Sequence, residues 1–521
     1  MSASSNVDER VQPYAYYALL LLTLANFVNL VDRQILSILA QSIKSDLHLN
    51  DAQLGFLLGT AFAVFFAVVG TATGRTADSL SRKGTMAVGL LVWSAMTALG
   101  GAARSFATLS AARIGVGAGE AVGIPCSHSL LSDYFPARNR ATVLAVYISG
   151  SFLGSAAALM FGGWFIQHWS QMCTVLPFSS ACSFPSWKAA LIVVGLPGLP
   201  LAALIAGLRE PLSYRPPSAV PARTVLLREF GAAVPPFTLL MLYRAGGLRP
   251  FRQSLLLIVC LTVGTLAMIQ LTGDVAQWVA IAIGAYAIVT WGQIQKIRDH
   301  ALYQLTFGCP TFVMAMVGSG LIACISGTVQ AWAAPYAMRT FDLTPAEIGV
   351  SVGLTVAAGA AVSVIGGGWI TDKWKRVDRR APIWVALICL LGGLPAELWM
   401  LFASGARQYF VALSLYSVLT AGWAGAYGAL IQDLVLPRMR GTAASVFSLV
   451  TIVIAAGAGP YWAGKVGTLT GSLAHGILSV QLLLPVATVL LLLTARRLKS
   501  ETPMGRRARA ESAGEPASSP A

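Results

Sequence analysis

Charge is scarce in this chain: Asp, Glu, Lys and Arg make up 11% of 521 residues, hydrophobic residues 56%, and the mean hydropathy is +0.69. So much apolar surface needs lipid rather than water as its solvent, which excludes a soluble fold. The sequence also lacks a nucleotide-binding loop. The stretch Gly459-Pro460-Tyr461-Trp462-Ala463-Gly464-Lys465-Val466 falls short of one, because Val466 stands where Ser or Thr is required and no strand precedes it. With no metal cluster or nucleophile triad either, neither an ATP-driven pump nor an enzyme is expected, and no cofactor. No cleavable leader is expected either: the polar start Met1 to Pro13 opens into an apolar run too long for a signal segment and without a small-residue cleavage site, so the first span is expected to stay in place. Acidic residues are outnumbered 21 to 36, giving a net charge of +15. No soluble domain offers a basic face, so this excess is read as membrane topology and no nucleic-acid partner is expected.

What is present is a series of apolar runs of about 20 residues, the length that crosses the hydrocarbon core as helix. They fall at 14–38, 52–73, 84–103, 109–131, 141–166 and 188–208, then 253–271 and 276–293, then 309–336, 347–370, 381–402, 408–432, 442–463 and 474–495. The spans number fourteen, an all-α polytopic membrane protein. Placing both termini in the cytoplasm puts 28 of the 36 basic residues in cytoplasmic segments, as the positive-inside rule requires. The chain divides into a cytoplasmic tail (1–13), a six-span half (14–208), a cytoplasmic linker with an inserted two-span hairpin (209–308, hairpin 253–293), a second six-span half (309–495) and a basic tail (496–521). The tail is rich in Arg, Ala, Ser and Pro and is expected to be disordered.

The two halves repeat each other. Gly55 precedes Asp78 by the same interval as Gly349 precedes Asp372, and Asp133, Arg138, Arg140 and Thr142 recur as Asp433, Arg438, Arg440 and Thr442. Parallel membrane-embedded repeats are the architecture of an alternating-access carrier. Of seven cysteines, Cys173 and Cys182 lie in an outward loop, where an oxidising compartment would permit a disulfide. The other five sit in or beside apolar spans as small hydrophobes.

Four ionisable residues interrupt two spans: Asp32 and Arg33 in the first, Arg113 and Glu120 in the fourth. None faces lipid cheaply, and Arg113 and Glu120 share nearly one helix face two turns apart, so a polar cavity is expected between these spans. Glycines 115, 117, 119 and 123 let another backbone approach it. The second half offers Gln330, Trp332, Tyr336, Glu397, Trp423 and Tyr427 as candidate lining.

Gly74-Arg75-Thr76-Ala77-Asp78-Ser79-Leu80-Ser81-Arg82-Lys83 resembles the cytoplasmic signature between the second and third spans of the major facilitator superfamily, and Arg113 to Glu120 resembles its fourth-span signature. Asn29-Leu30-Val31-Asp32-Arg33 with Gly117-Ala118-Gly119-Glu120-Ala121, Ser132 to Pro136 and Trp187-Lys188-Ala189-Ala190 is most similar to the spinster-like branch. The resemblance implies two six-helix halves, secondary active transport and proton coupling, in a branch whose animal members move lysolipid-type cargo. It makes Gly74, Asp78, Arg82, Lys83 and, in the second half, Asp372 a conformational latch. It makes Asp32, Arg33, Arg113 and Glu120 the proton-coupling and substrate-binding residues. Ser79 and Ser81 depart from the signature, where a basic residue and glycine are usual. The expected partners are protons, membrane lipid and a small organic or lipid-like solute with anionic character, moved by a monomer in a bacterial inner membrane. A uniporter or drug-type exporter of the same fold, or a membrane sensor, remain the alternatives.

Overall fold

The structure, a computed structural model, describes residues 12–79, 81–136, 139–175, 181–211, 224, 231, 237–436 and 439–515, with the backbone alone at 71–79, 140, 141, 175, 181 and 441. Every regular element among these residues is helical.

The first helix, Pro13–Asp46, opens on a proline, whose missing N–H costs nothing in a first turn. Asn50 and Gln53 then form a reciprocal capping box that starts the second. This helix runs as Asp51–Gly55, a stretch of wider turns at Phe56–Thr60, and Ala61–Ser79. Arg82–Gly100 follows, capped by the Ser81 hydroxyl. The expected fourth span is broken into Phe106–Glu120 and Gly123–Tyr134, and its repeat counterpart breaks at the corresponding point, into Ala406–Thr420 and Trp423–Asp433. In both halves the chain beside the break is pressed onto a neighbouring backbone, Gly119 onto Trp93 and Gly422 onto Gly367. Arg140–Val175 and the pair Ser186–Gly195 and Gly198–Ala206 complete the first half. Pro310–Thr340, Pro345–Lys375, Ala381–Leu401, Arg440–Thr470 and Leu484–Leu498 are the long helices that frame the second.

Among the described residues, twelve helical segments are long and apolar enough by themselves to cross a membrane. Arg82–Gly100 and the broken Phe106–Tyr134 stretch stand where the third and fourth spans were expected and are not among those twelve. Between the halves lies the hairpin Leu248–Thr272 and Val275–Arg298, turned by Gly273 at φ 78°, a left-handed conformation that favours glycine. Its second helix packs on Ala61–Ser79 and on Arg440–Thr470, touching both halves. Gln277 is the fastening point. Its amide donates to the Gly457 carbonyl (2.8 Å) and accepts from the Thr60 hydroxyl (2.7 Å). At the turn, Asp274 pairs with Lys465 (2.7 Å) and accepts from the Tyr461 hydroxyl (2.9 Å). The first hairpin helix buries only Ser254.

The tail departs from expectation. Residues Pro503–Ser512 form a helix rather than disordered chain. Thr502 caps its first turn, Arg507 pairs with Glu511 one turn on, and Arg509 holds the buried Glu501. This polar scaffolding outweighs a composition that has few apolar residues.

The halves meet at the end away from the termini. There Arg140–Val175 lies along Pro345–Lys375, and Asp51–Ser79 along Arg440–Thr470. The approach is backbone to backbone: a Cβ at Gly163 would overlap the Pro345 carbonyl, and one at Gly55 the Pro460 carbonyl. Ser37 donates across the seam to the Ala331 carbonyl at 2.8 Å. Cys173 and Cys182 are joined by a disulfide at this same end.

Candidate functional site

The first helix and Phe106–Glu120 bring Asp32, Arg33, Arg113 and Glu120 together. Asp32, Arg113 and Glu120 are buried, and the Arg33 side chain is 24% exposed. Arg33 donates through Nε to Glu120 Oε2 at 2.6 Å, while Arg113 Nη1 donates to the Asp32 backbone carbonyl at 3.2 Å. Both arginines lie over aromatic faces: Arg33 sits 4.5 Å from the Phe62 ring centre and 5.0 Å from Phe66, and Arg113 sits 5.6 Å from Phe62. When all four groups are ionised, two carboxylates and two guanidiniums offset one another, which is how charge is tolerated in a site of low dielectric. The group is not fully paired. Among the described residues, both Asp32 carboxyl oxygens, Glu120 Oε1 and Arg113 Nε are buried without a well-formed hydrogen bond, with Thr97 near Asp32 and Asn29 near Glu120. Such atoms store free energy that a proton, a water or a polar solute group can release.

The chain positions this cluster by simple means. Gly117 and Gly119 remove side chains from the Phe106–Glu120 helix where it crosses Phe62 and Trp93, so that helix sits close enough for Arg33 to span the gap to Glu120. Asn26, one turn before Asn29, donates to the Tyr147 carbonyl (2.8 Å) and to Ser151 (2.7 Å), pinning the first helix to Arg140–Val175. A small cavity lined by Asn26, Asn29, Arg33, Trp93, Glu120 and Tyr147 adjoins the ion pair.

The latch candidates divide. Gly74 and Asp78 lie on helical backbone but their side chains fall outside the described residues. Arg82 is buried and holds Asp133 (2.5 Å) and Glu210 (3.0 Å) within its own half, next to a partly buried Lys83. Asp372 is exposed, and the second half instead pairs Lys375 with Asp433. Among the lining candidates, Trp332 is buried and donates to the Pro460 carbonyl (3.0 Å). Tyr336 donates to the Leu401 carbonyl (2.8 Å), Trp423 and Tyr427 are buried edge to face, and Gln330 is exposed.

Sequence reasoning passed over one inter-half ion pair. Asp51 accepts two hydrogen bonds from Arg339 and one from Lys44, at 2.7, 2.7 and 2.6 Å, bordering a vestibule of about 560 Å³ at the seam end. The signal lay in three charges near predicted span ends, Lys44, Asp51 and Arg339, but 288 residues separate the two that cross the seam.

Comparison with known proteins gives a consistent picture. The model of the Major Facilitator Superfamily matches residues 22–460. An MFS-type efflux pump of Mycolicibacterium smegmatis is 27% identical over 493 residues, covering 93% of this chain and 92% of that one. A hexuronate transporter of Bacillus subtilis is 34% identical over 138 residues, 26% of this chain and 32% of that one. Among solved structures, a bacterial homologue of the human lysosomal transporter Spinster, in an inward-facing and unoccupied conformation, superposes with a TM-score of 0.72 at 22% identity, covering 94% and 99% of the two chains. The fold expected from the spinster-like motifs is the fold found.

Proposed function

Because the chain belongs to the Major Facilitator Superfamily, whose matched relatives are transporters rather than enzymes, we propose that it is a proton-coupled carrier of a small organic or lipid-like anion, working by alternating access. The observation that carries this reading is the Arg33–Glu120 pair with its incompletely bonded neighbours. Arg33 is the partly exposed member of the cluster, so an anionic solute reaches it first. A solute carboxylate or phosphate that takes the guanidinium leaves Glu120 as a buried charge without its counter-ion. A proton then neutralises Glu120, so solute and proton occupy the site together. Asp32, next to Arg113, provides a second carboxylate in the same group.

The seam supports a particular state. The halves are joined by backbone at the end bearing Asp51 and Arg339, while Arg82 and Lys375 at the other end pair within their own halves. With both termini cytoplasmic, in a bacterial inner membrane, that is an inward-facing arrangement, and the loop at Asp78 and Arg82 re-forms its latch across the halves when the carrier turns outward. The topology is fourteen spans, with the third at Arg82–Gly100, the fourth at the broken Phe106–Tyr134 stretch, and the hairpin as two more. A second reading, export of a drug-like solute, is favoured by the near full-length match to an efflux pump.

Counterflow in proteoliposomes decides between these readings. Purified protein loaded with glucuronate, a lysophospholipid or a cationic dye is assayed with and without a pH gradient. Accumulation of an anion that follows the pH gradient supports the coupled carrier. Dye movement alone supports the exporter, and an absence of flux for every class with intact folding removes the transport reading.

A further inference from the structure

Another buried carboxylate lies in the second half, outside this cluster. Glu397, on Ala381–Leu401, is fully buried and accepts a hydrogen bond through Oε2 from the Gln481 amide. Among the described residues, three polar atoms at this point lack a well-formed hydrogen bond: Glu397 Oε1, Gln481 Oε1 and the Tyr416 hydroxyl, which has Thr420 nearby. They border a cavity of about 10 Å³, room for one water molecule and no organic solute.

The chemistry of the lining is narrow. Among the described residues, the cavity beside Glu397 is lined by Tyr416 and Cys389 as its other titratable groups and by Ser326, Thr420 and Gln481 as neutral polar ones, with no Lys, Arg or His in that lining. Asp32 and Glu120 each have an arginine beside them, whereas the lining around Glu397 holds none. An ionised carboxylate with no counter-ion in such a place is prohibitively costly. The unpartnered atoms also show what is missing. Glu397 Oε1 and Gln481 Oε1 are both acceptors when the carboxyl is ionised, and the single Tyr416 O–H can serve only one of them, so the site is short of a donor. A proton on Glu397 Oε1 supplies that donor. It turns the carboxylate into a neutral acid that can give its hydrogen to the Gln481 carbonyl or to a water in the cavity while still accepting from the Gln481 NH₂.

We infer that Glu397, with Gln481 and Tyr416, is a second proton-binding site, placed in the second half of the fold and independent of the Arg33–Glu120 cluster. Its ligand is a proton exchanged through a single water. The site stands whether or not Asp32 and Glu120 couple transport.

The test is acid-minus-alkaline difference infrared spectroscopy of the full-length protein in phosphatidylcholine nanodiscs, in H₂O and D₂O. A protonated-carboxyl C=O band is expected that shifts in D₂O, is lost in Glu397→Gln and persists in Asp32→Asn. Gln481→Leu should shift this band without removing it, which keeps the assignment testable should Glu397→Gln fold poorly. No carboxyl band that depends on Glu397 or Gln481 at any pH overturns the inference. So does a band that sodium chloride abolishes and N-methylglucamine chloride does not, which would make this a sodium site. Counterflow on the same purified wild-type protein, reconstituted in proteoliposomes, keeps the two proposals apart, since a Glu397 band without solute flux removes the carrier reading alone.

Discussion

Arg339 and Asp51 grip each other through two hydrogen bonds of 2.7 Å, one residue from each half of the repeat. The Asp51 side chain is 9% exposed and that of Arg339 24%, and Lys44 adds a third donor. A bidentate, partly desolvated pair is stronger than an ordinary surface bridge, and here it fastens the seam shut.

Asp51→Asn should therefore loosen that end of the molecule. We expect a cost of about 1–2 kcal/mol to the closed seam, roughly a 5–30-fold shift toward the opposite opening. Ser37→Cys, buried at the seam beside the Ala331 carbonyl, reports it through its rate of labelling by an impermeant maleimide. An unchanged rate in the Asp51→Asn background removes Asp51 as a gate.

Gly163→Ala acts on the same end through shape alone. Its methyl would overlap the Pro345 carbonyl, a backbone atom that cannot step aside, so Arg140–Val175 and Pro345–Lys375 must part. Spin labels at Gln171 and Thr340 should show a longer distance than in the parent, with transport slowed at least about tenfold, which corresponds to ~1.4 kcal/mol. Parent-like distances and rates would show that this contact can relax.

Charge neutralisation at the main site separates coupling from binding. Asp32→Asn or Glu120→Gln should abolish pH-driven accumulation while at least one of the two keeps solute-for-solute exchange, which needs no net proton movement. Arg33→Gln should weaken both modes by leaving Glu120 alone. Loss of one member of a buried pair can cost about 3–5 kcal/mol of stability, so each variant is first checked by size-exclusion and thermal melting. If both amide variants still concentrate solute in response to pH, proton coupling does not run through this cluster.

Topology is checked at the hairpin. Gly273→Cys should react with an impermeant maleimide from outside the cell, and His300→Cys only after permeabilisation. Labelling of both positions only after permeabilisation would invalidate the fourteen-span arrangement.

Asp78→Asn tests the latch. It should shift the carrier between its two openings and slow flux several-fold, with solute binding intact. Normal flux together with unchanged labelling at Ser37→Cys leaves Asp78 without that role.

Much of this was legible in the chain because ionisable residues inside apolar runs announce themselves: Asp32, Arg33, Arg113 and Glu120 needed no structure to be grouped. Their pairing was not legible. Helical spacing put Arg113 and Glu120 on one face, whereas the bond runs from Arg33 to Glu120, because glycines 117 and 119 set the distance between helices and no single-helix period encodes that. The same limit hid Asp51 with Arg339, and Glu397 with Gln481, each a meeting of residues from distant segments. The helix in the tail was missed for a different reason: composition averages over Thr502, Glu501 and Arg509, whose individual caps and pairs decide the matter locally. Trp332, offered as cavity lining for its aromatic ring, spends its one donor on the Pro460 carbonyl.

The inserted hairpin gives the bundle a front and a back. Val275–Arg298 lies across the groove between Ala61–Ser79 and Arg440–Thr470, with Gln277 tied to Thr60, just before the first of these, and to Gly457 on the second, whereas Arg140–Val175 and Pro345–Lys375 meet on the other flank with no third helix laid over them among the described residues. An amphiphile drifting in the bilayer thus encounters two unequal sides, one walled and one bare. A cargo that entered sideways from the lipid would have a single doorway, fixed by a segment that belongs to neither repeat.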